Sequence, residues 1–228
     1  MNPPVKPLIT CIMPTRNGER FLALAIGSLV AQTWRPLEII VVDDGSTDRS
    51  VEIARSFGNP VRVVSHPVAN PVLARNRGLE IASGDFVSFL DHDDLSIPEK
   101  LAMQMAAFTQ DPTLDVCVGM VQRFSQAAPE SAITPVGAAV PGYLTITMLA
   151  RRQAFERVGP LNPVNFHSDS AEWFLRARAC GIAVRLLPET LVYHRDHDDN
   201  RSLRYGDRSR AEFLRLLKSK LDTERTGG

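Results

Sequence analysis

The sequence predicts an α/β protein with a mostly parallel central sheet flanked by helices. Two observations lead to this prediction. Through the first half of the chain, apolar segments of strand length alternate with segments whose apolar residues recur at helical spacing. The run "LEIIVV" at 37–42 is nearly continuous and rich in β-branched residues, as expected for a strand covered on both faces. Strand–helix–strand order then requires right-handed crossovers, which place parallel strands in one sheet.

The elements of the first half follow in regular order. The first predicted strand stops at Pro14, and Ser46 or Thr47 is expected to cap the second helix. The predicted strands and helices alternate, at residues 8–13, 19–32, 37–42, 46–57, 61–65, 72–83 and 86–90.

The second half is less regular. Residues 122–141 are rich in Ala, Pro, Ser and Gly, which predicts a loop. The remaining predicted elements are a strand, two helices, a strand and a basic amphipathic helix, at residues 143–150, 152–157, 171–180, 184–187 and 208–221.

Composition excludes several classes of protein. The 26 Lys and Arg residues balance 26 Asp and Glu residues, so charge gives no reason to expect a nucleic-acid partner. No apolar run is long enough to span a bilayer, and the N-terminus lacks the apolar core of a signal peptide, so we expect a cytoplasmic protein. The three cysteines lie far apart without metal-ligand spacing, which gives no indication of zinc.

Polar clusters follow three of the predicted strands. They are "TRNG" at 15–18, "DDGS" at 43–46 and "DHDD" at 91–94. Ligands of such sheets bind at the carboxyl ends of the strands, so we expect these loops to face one crevice. Closely spaced carboxylates suit Mg²⁺ or Mn²⁺, which makes Asp91 and Asp93 the candidate ligands. A purely structural interpretation also stays open, because "DDGS" fits a turn and Asp94 or Ser96 fits a helix cap.

Two longer stretches carry a resemblance to a known family. "PTRNGERFLALAIGSLVAQTWRPLEIIVVDDGSTD" and "ARNRGLEIASGDFVSFLDHDDLSIPEKL" resemble the nucleotide-sugar-binding half of family 2 glycosyltransferases with the GT-A fold. The resemblance covers residues 8–110 closely and continues more loosely to about residue 200. It implies one GT-A domain over 1–205, with a Rossmann-like donor half at 8–110 and a smaller acceptor half at 111–205; the basic helix and tail at 206–228 follow.

The resemblance also implies roles for single residues. Asp44 would accept a hydrogen bond from the base, and Arg75 would lie near the base and phosphates. Asp91 and Asp93 match the DxD motif, with Asp93 the direct ligand of Mn²⁺ or Mg²⁺ and Asp91 nearer the ribose or sugar. The other residues implied in nucleotide contact are Pro14, Thr15, Arg16, Asn17, Asp43 and His92.

The segment "HRDHDDN" at 194–200 resembles one that follows the last core strand in many family members. There, His197 would complete the metal site or contact the diphosphate. Arg195 and Arg201 would close over the phosphates.

The catalytic base is where the sequence departs from the family pattern. Family members usually carry a Glu-Asp pair at the start of a helix, and the Asp is the base. Aligned on "WFLR" at 173–176, Asp169 takes the Glu position and Ser170 takes the Asp position. Because serine is no base near neutral pH, Asp169 and Glu172 become the candidates, beside a site without a protein base. Both also have structural interpretations, Asp169 as a helix cap and Glu172 as a partner of Arg176.

The resemblance therefore implies a metal-dependent, inverting transferase that uses a nucleoside-diphosphate sugar, most often a UDP-sugar. Its acceptor stays open among saccharides, lipid-linked compounds, peptides and small molecules. Two alternatives are a binding module that lost its base at Ser170 and a nucleotidyltransferase, although "PTRNGERF" is not the Gly-rich, Lys-containing loop that the latter favours. The helix at 208–221 is interpreted as packing on the domain, forming a homodimer or contacting a membrane surface.

Overall fold

The computed structural model describes residues 6–126, 133–166 and 168–197, together with 214, 215 and 218. These residues form nine strands and six helices, with a 3₁₀ turn at Thr145–Thr147. The strands are β1 (Ile9–Thr15), β2 (Leu37–Asp43), β3 (Val61–Ser65), β4 (Phe86–Phe89), β5 (Leu95–Ser96), β6 (Val116–Gln126), β7 (Ile133–Pro141), β8 (Leu149–Arg151) and β9 (Val184–Arg195). The helices are α1 (Leu22–Val30), α2 (Ser50–Ser56), α3 (Pro71–Ile81), α4 (Lys100–Gln110), α5 (Arg152–Val158) and α6 (Asp169–Ala179).

All nine strands belong to one sheet, in the order β3-β2-β1-β4-β8-β6-β9-β5, with β7 also paired to β6. The pairs β1–β2, β1–β4 and β2–β3 are parallel, as is β6–β9. Strand β8 is antiparallel to both β4 and β6, and β5 and β7 are also antiparallel to their partners. The α/β prediction is confirmed: strands β1 to β4 pair with one another in parallel, and every antiparallel pair involves a strand that follows β4.

Alternate residues of the strands supply two apolar cores, one on each face of the sheet. In β1, Cys11 and Met13 pack with α1 and α4, whereas Ile12 faces the opposite core, to which α3, α5 and α6 contribute. This alternation is the period of two expected for a strand covered on both sides. The core therefore fixes the sheet from both faces and leaves its carboxyl edge for the loops.

Strand β1 runs through Pro14 to Thr15, so the prediction that it stops at Pro14 is wrong. Pro14 pairs in register with Val42 of β2. The carbonyl of Ile12 accepts a hydrogen bond from the Leu90 N–H, so it points toward β4. The nitrogen of Pro14, two residues later, points to the same side. There it lies beyond the last residue of β4. No ladder hydrogen bond is lost.

The region predicted as a loop at 122–141 is instead largely an antiparallel hairpin. Strand β6 continues to Gln126, and β7 pairs with it from Met120↔Pro141 to Gln126↔Ile133. Pro135 and Pro141 are tolerated because β7 needs only one paired edge. The strand predicted at 143–150 is also wrong. The hydroxyl of Thr147 hydrogen-bonds to the carbonyls of Gly142 and Leu144, which favours the 3₁₀ turn before the short β8.

Strand β9 extends to Arg195, well past its predicted end at 187. A register irregularity opposite Gly119 accommodates the Pro188 region, since Val118 pairs with Leu186 and Met120 with Thr190. A Cβ at Gly119 would lie 2.4 Å from the Leu191 side chain, so only glycine permits this approach. The extension carries β9 to the carboxyl edge of the sheet.

Two further predictions concern helices. Ser46 and Thr47 do not cap α2; the Asp48 carboxylate accepts the Ser50 N–H at 3.0 Å instead. The basic helix predicted at 208–221 lies outside the described residues except for 214, 215 and 218, which are helical and exposed. Within the part of the chain that the structure describes, no helix combines the length and apolarity needed to cross a membrane.

Candidate active site

The loops that follow β1 and β2 are joined by hydrogen bonds. The Asp44 N–H donates to the Thr15 carbonyl at 2.8 Å. The Asn17 side-chain oxygen accepts from the Thr47 N–H at 2.8 Å, and the Asn17 N–H donates to the Ser46 hydroxyl at 3.0 Å. Asn17 therefore orders the two loops against each other, and Arg16 beside it is exposed.

The loop after β1 also lies against the acidic segment after β4. A Cβ at Gly18 would fall 2.7 Å from His92 Cδ2 and 2.8 Å from Thr15 Oγ1, so the chain must be glycine here. Thr15 Oγ1 is buried and has no hydrogen-bond partner among the described residues. The three polar loops predicted from sequence thus adjoin at one edge of the sheet.

Asp43 and Asp44 are both buried, but their carboxylates accept hydrogen bonds from different segments of the chain. The Asp43 carboxylate accepts the Ser46 N–H at 3.1 Å, which fixes the turn after β2. The Asp44 carboxylate accepts the Val68 N–H at 3.1 Å. Burial raises the pKa of Asp44 above its ordinary value, and that backbone hydrogen bond opposes the shift. The structural interpretation of Asp43 as a turn residue is consistent with these contacts.

Oxygens of Asp91, Asp93 and Asp94 lie within 4.8 Å of one another. Asp94 is fully buried, and its carboxylate meets His194 Nδ1 at 2.9 Å and accepts the Arg195 N–H at 3.1 Å. The Asp94 carboxylate raises the pKa of His194 to about 9, so this pair is ionic near neutral pH. Asp94 is thus engaged as an anchor between the acidic segment and β9.

Arg75 connects the acidic segment to the acceptor half. Its guanidinium is 2% exposed and donates to Asp91 Oδ1 at 2.5 Å and to Asp169 Oδ2 at 3.1 Å. Burial opposes the charge of Arg75, but the neighbouring carboxylates raise its pKa above the ordinary value. The Nε of Arg75 is buried and has no partner among the described residues.

The end of β9 closes the acidic segment from the other side. His197 Nε2 lies 3.0 Å from Asp93 Oδ2, and its Nδ1 is buried without a partner in the described part of the chain. Burial disfavours the charge of Asp93, yet the His197 hydrogen bond and two further histidines lower its pKa below the ordinary value. Asp93 is therefore held ionised and oriented.

Arg195 is buried and is not exposed above the acidic segment, as closing over a phosphate group would require. It is 1% exposed, with its guanidinium between the rings of Phe21 and Phe124 at 4.4 and 4.7 Å, and its Nε donates to the Asp93 carbonyl at 2.8 Å. The two faces of the cation are thus covered by aromatic rings. Arg201 lies outside the described residues.

Sequence reasoning missed the anchoring of Asp94 by His194 and the burial of Arg195. The apolar run at 191–193 could have indicated both features, because it extends the last predicted strand past the Pro188 region toward His194 and Arg195.

Neither candidate base is free of partners, and Ser170, which stands at the position of the family's Asp, is bonded as well. Ser170 Oγ accepts the Thr145 N–H at 3.1 Å. Glu172 forms a paired contact with Arg176 at 2.7 and 2.9 Å, as its structural interpretation expects. Asp169 is buried and bonded to Arg75, which makes it the carboxylate linked to the acidic segment.

A model of the family described as glycosyl transferase family 2 matches residues 10–169. The chain belongs to glycosyl transferase family 2. The match spans both sequence stretches that carried the resemblance, and it extends to Asp169 at the start of α6. The predicted family is confirmed.

Curated relatives of this family 2 chain are described as uncharacterized glycosyltransferases. One from Haemophilus influenzae is 40% identical over 109 residues, which is 46% of this chain and 44% of that protein. One from Nostoc sp. is 32% identical over 218 residues, covering 84% of this chain and 66% of that protein. The chain thus spans less than half of the first relative's length.

Solved structures of glycosyltransferases share the fold. A mannosyltransferase from Pyrobaculum calidifontis, in complex with GDP-Man and Mn²⁺, has a TM-score of 0.72 at 19% identity, over 94% of this chain and 65% of that one. TarS of S. aureus, in complex with UDP-GlcNAc, has a TM-score of 0.70 at 21% identity, over 84% of this chain and 59% of that one. The predicted GT-A fold is confirmed.

Proposed function

We propose that this chain is a metal-dependent, inverting glycosyltransferase that takes a sugar from a nucleoside-diphosphate donor, most readily a UDP-sugar. The observation that carries the proposal is the pair Asp91 and Asp93 at the carboxyl end of β4, beside the loops that bear Thr15 and Asp44. TarS binds UDP-GlcNAc and the mannosyltransferase binds GDP-Man with Mn²⁺, and these complexes support the same donor class here. We place the reaction in the cytoplasm, either in solution or at a membrane surface.

The residues present fit a hard divalent cation. Asp91 and Asp93 offer carboxylate oxygens, the ligand type that Mn²⁺ and Mg²⁺ prefer, and each carboxylate keeps lone pairs beyond its present hydrogen bond. His197 Nε2 lies 3.0 Å from Asp93 Oδ2, so His197 would supply a third ligand through this nitrogen or contact the diphosphate. When bound, the cation would stabilise the charge of the departing nucleoside diphosphate.

The chain's own residues would then divide the work. Asp44 binds the base of the donor, and Arg75 keeps Asp91 and Asp169 in fixed positions on the two sides of the site. Asp169 is the candidate base that takes the proton of the acceptor hydroxyl as the sugar transfers in one displacement.

A second candidate function is donor binding without turnover. It is favoured by the partners of Ser170 and of the two candidate bases, since Ser170 is bonded to Thr145 and both candidate carboxylates are paired with arginines. Ser170→Asp distinguishes the two functions. A binding module that lost its base should gain donor turnover of at least tenfold, whereas an enzyme that uses Asp169 should not gain and should lose at least 100-fold in Asp169→Asn.

The test of the proposed function is a panel of nucleotide sugars with Mn²⁺ or Mg²⁺, measured by thermal shift and by release of nucleoside diphosphate. At least one donor should raise the melting temperature, and only when the metal is present. Asp93→Asn should abolish that metal-dependent shift. Asp111→Asn is the matched control, because Asp111 pairs with Arg185 at the far end of α4. A full shift in Asp93→Asn, or no shift with any donor in the parent chain, would refute the proposal.

A further inference from the structure

A strip of exposed apolar side chains runs along β7 and into the 3₁₀ turn. Four of the nine large apolar side chains that are exposed in the described residues belong to it: Val136, Val140, Tyr143 and Leu144. Their exposed fractions lie between 37% and 52%. Ile133 is also exposed, but it pairs with Gln126 and therefore faces the other side of the hairpin from Val136 and Val140. The segment 133–144 contains no Asp, Glu, Lys, Arg or His. A concentration of exposed apolar surface of this kind marks a binding surface on a soluble protein.

The pairing of the strands places this strip beyond the carboxyl end of β4. Residues Val116 and Cys117, at the start of β6, pair with β8, and β8 in turn pairs with β4. Two antiparallel steps make β6 parallel to β4. Because β7 pairs with the later part of β6, from Met120 onward, it lies on the side toward which β4 points. The acidic segment follows β4 at that same end.

The strip is also continuous with the start of α6. The ring of Tyr143 packs edge-on against Phe174, with 5.6 Å between centroids. One residue past Leu144, the Thr145 N–H donates to Ser170 Oγ, next to Asp169. One end of the apolar strip therefore adjoins the helix that carries the candidate base.

Other occupants fit the strip less well. Another copy of the chain could add to the free edge of β7, but Pro135 and Pro141 lack N–H groups and Gly137 has φ +70°, which interrupts a regular edge. A stable dimer buries about 800 Å² on each partner, with roughly twenty residues a side. The strip offers four large apolar side chains. Its size suits a single chain-like apolar group.

We propose that the strip binds an apolar portion of the acceptor, so that the acceptor of this site is an amphiphile with a sugar or hydroxyl head and a hydrocarbon tail. This inference rests on the proposed function, since it assigns the acceptor class of the same site. The head lies near Asp169 and the tail extends along Tyr143, Val140 and Val136.

The test uses alkyl glucosides as probes, each below its critical micelle concentration. Affinity is measured by calorimetry with the Mn²⁺–nucleoside diphosphate complex bound. Methyl glucoside, which is the head without a tail, gives the reference affinity. From hexyl to octyl to decyl glucoside, affinity should rise about threefold to fourfold for each methylene that becomes buried. The variant Val136→Thr/Val140→Thr keeps the branched shape and should reduce decyl glucoside affinity at least tenfold.

Two controls keep the test specific. Leu24→Gln changes an equally exposed apolar residue on α1 and should bind decyl glucoside as the parent chain does. The thermal shift with Mn²⁺ and donor should be unchanged in every variant. If donor binding fails in the parent chain, the proposed function is refuted by that result alone.

Three outcomes overturn the acceptor inference while donor binding stays intact. The first is an affinity that does not depend on tail length. The second is a parent chain that sediments as a dimer and becomes monomeric in Val136→Thr/Val140→Thr, which would make the strip a contact between copies. The third is binding to neutral phosphatidylcholine vesicles that the same variant abolishes, without tail-dependent binding of monomeric glucosides, which would make the strip a bilayer contact.

Discussion

At the scale of single residues, the acidic segment is stable because each carboxylate has its own basic partner. Asp91 is paired with Arg75, Asp93 with His197, and Asp94 with His194. Arg75 belongs to α3, His194 to β9, and His197 follows β9 by two residues, so none of these partners comes from the segment itself. Crowded carboxylates are thus compensated in pairs before any cation binds. The segment is consequently positioned in advance, which is what an efficient leaving-group site requires.

The Arg75 contacts make a prediction about stability. Arg75→Met leaves Asp91 and the buried Asp169 without their shared cation and should lower the free energy of unfolding by about 3 kcal/mol. Adding Asp169→Asn removes one stranded charge, so the double variant should be more stable than the sum of the single losses indicates. Urea unfolding of all four proteins measures the coupling. Strict additivity would mean that the Arg75–Asp169 contact carries no free energy.

Lys100 is a second buried charge, and it makes a prediction about pH. Its ammonium is 1% exposed and donates to the Ile146 carbonyl at 2.7 Å and to Ser88 Oγ at 3.2 Å. Burial lowers the pKa of Lys100 from 10.5 to about 8. Between pH 8 and pH 10.5, the unfolded chain keeps a proton on Lys100 that the folded chain has lost. The contribution of Lys100 to the free energy of unfolding therefore increases as the pH rises through this range.

Lys100→Met should remove that gain. Compared with the variant, the parent chain should become more stable by roughly 3 kcal/mol between pH 8 and pH 10.5, because each unit of pKa shift corresponds to about 1.4 kcal/mol. Urea unfolding at several pH values measures the difference, in which other titrating groups cancel. Parallel pH profiles for the two proteins would show that Lys100 stays charged in the fold.

At the scale of elements, the sequence was sufficient where a single periodicity decided the structure. The parallel strands and the helices of the donor half have continuous apolar runs or helical spacing, and the predicted loops at their ends do adjoin. The prediction was wrong for β7 and short for β9, where Pro and Gly residues interrupt the pattern. Pairing with β6 overrides these local signals, and pairing is set by residues distant in sequence.

The same limit explains what sequence could and could not assign in the site. Asp91, Asp93 and Asp94 are adjacent in the chain, so their proximity was readable. The Arg75–Asp169 contact joins residues 94 positions apart, and no local pattern encodes it. The roles of these residues in nucleotide binding, metal binding and catalysis stay predictions until they are measured.

Gly119 gives a prediction for the β6–β9 pairing. Gly119→Ala places a Cβ 2.4 Å from Leu191 and should destabilise the fold by about 1–3 kcal/mol, because a packed core cannot accept the extra methyl group. Gly27→Ala is the matched control. It lies within α1 with open space around the added Cβ, so it should stabilise the protein by about 0.5–1 kcal/mol. Equal effects in the two variants would contradict the close approach of β9 at Gly119.

At the scale of the whole molecule, the predicted donor and acceptor halves, 8–110 and 111–205, contribute strands to one sheet. Strand β4 of the donor half pairs with β8, and β5 pairs with β9, so hydrogen bonds cross between the halves at two places. The Arg75–Asp169 ion pair crosses between them as well. A site assembled from both halves can stay rigid only if the halves fold together, because separate domains would move independently.

This architecture predicts one cooperative unfolding transition, and the chain's two tryptophans can test it. Trp34 lies in the donor half, and Trp173 is buried in the acceptor half. Trp173→Phe leaves only Trp34 fluorescent, and Trp34→Phe leaves only Trp173. Within each variant, urea unfolding followed by fluorescence and by far-UV circular dichroism should give the same midpoint and slope, because the shared sheet cannot lose one half alone. The variant lacking both tryptophans supplies the fluorescence background. A fluorescence midpoint clearly below that from circular dichroism, in either variant, would show that one half unfolds first and that the contacts between the halves are too weak to couple them.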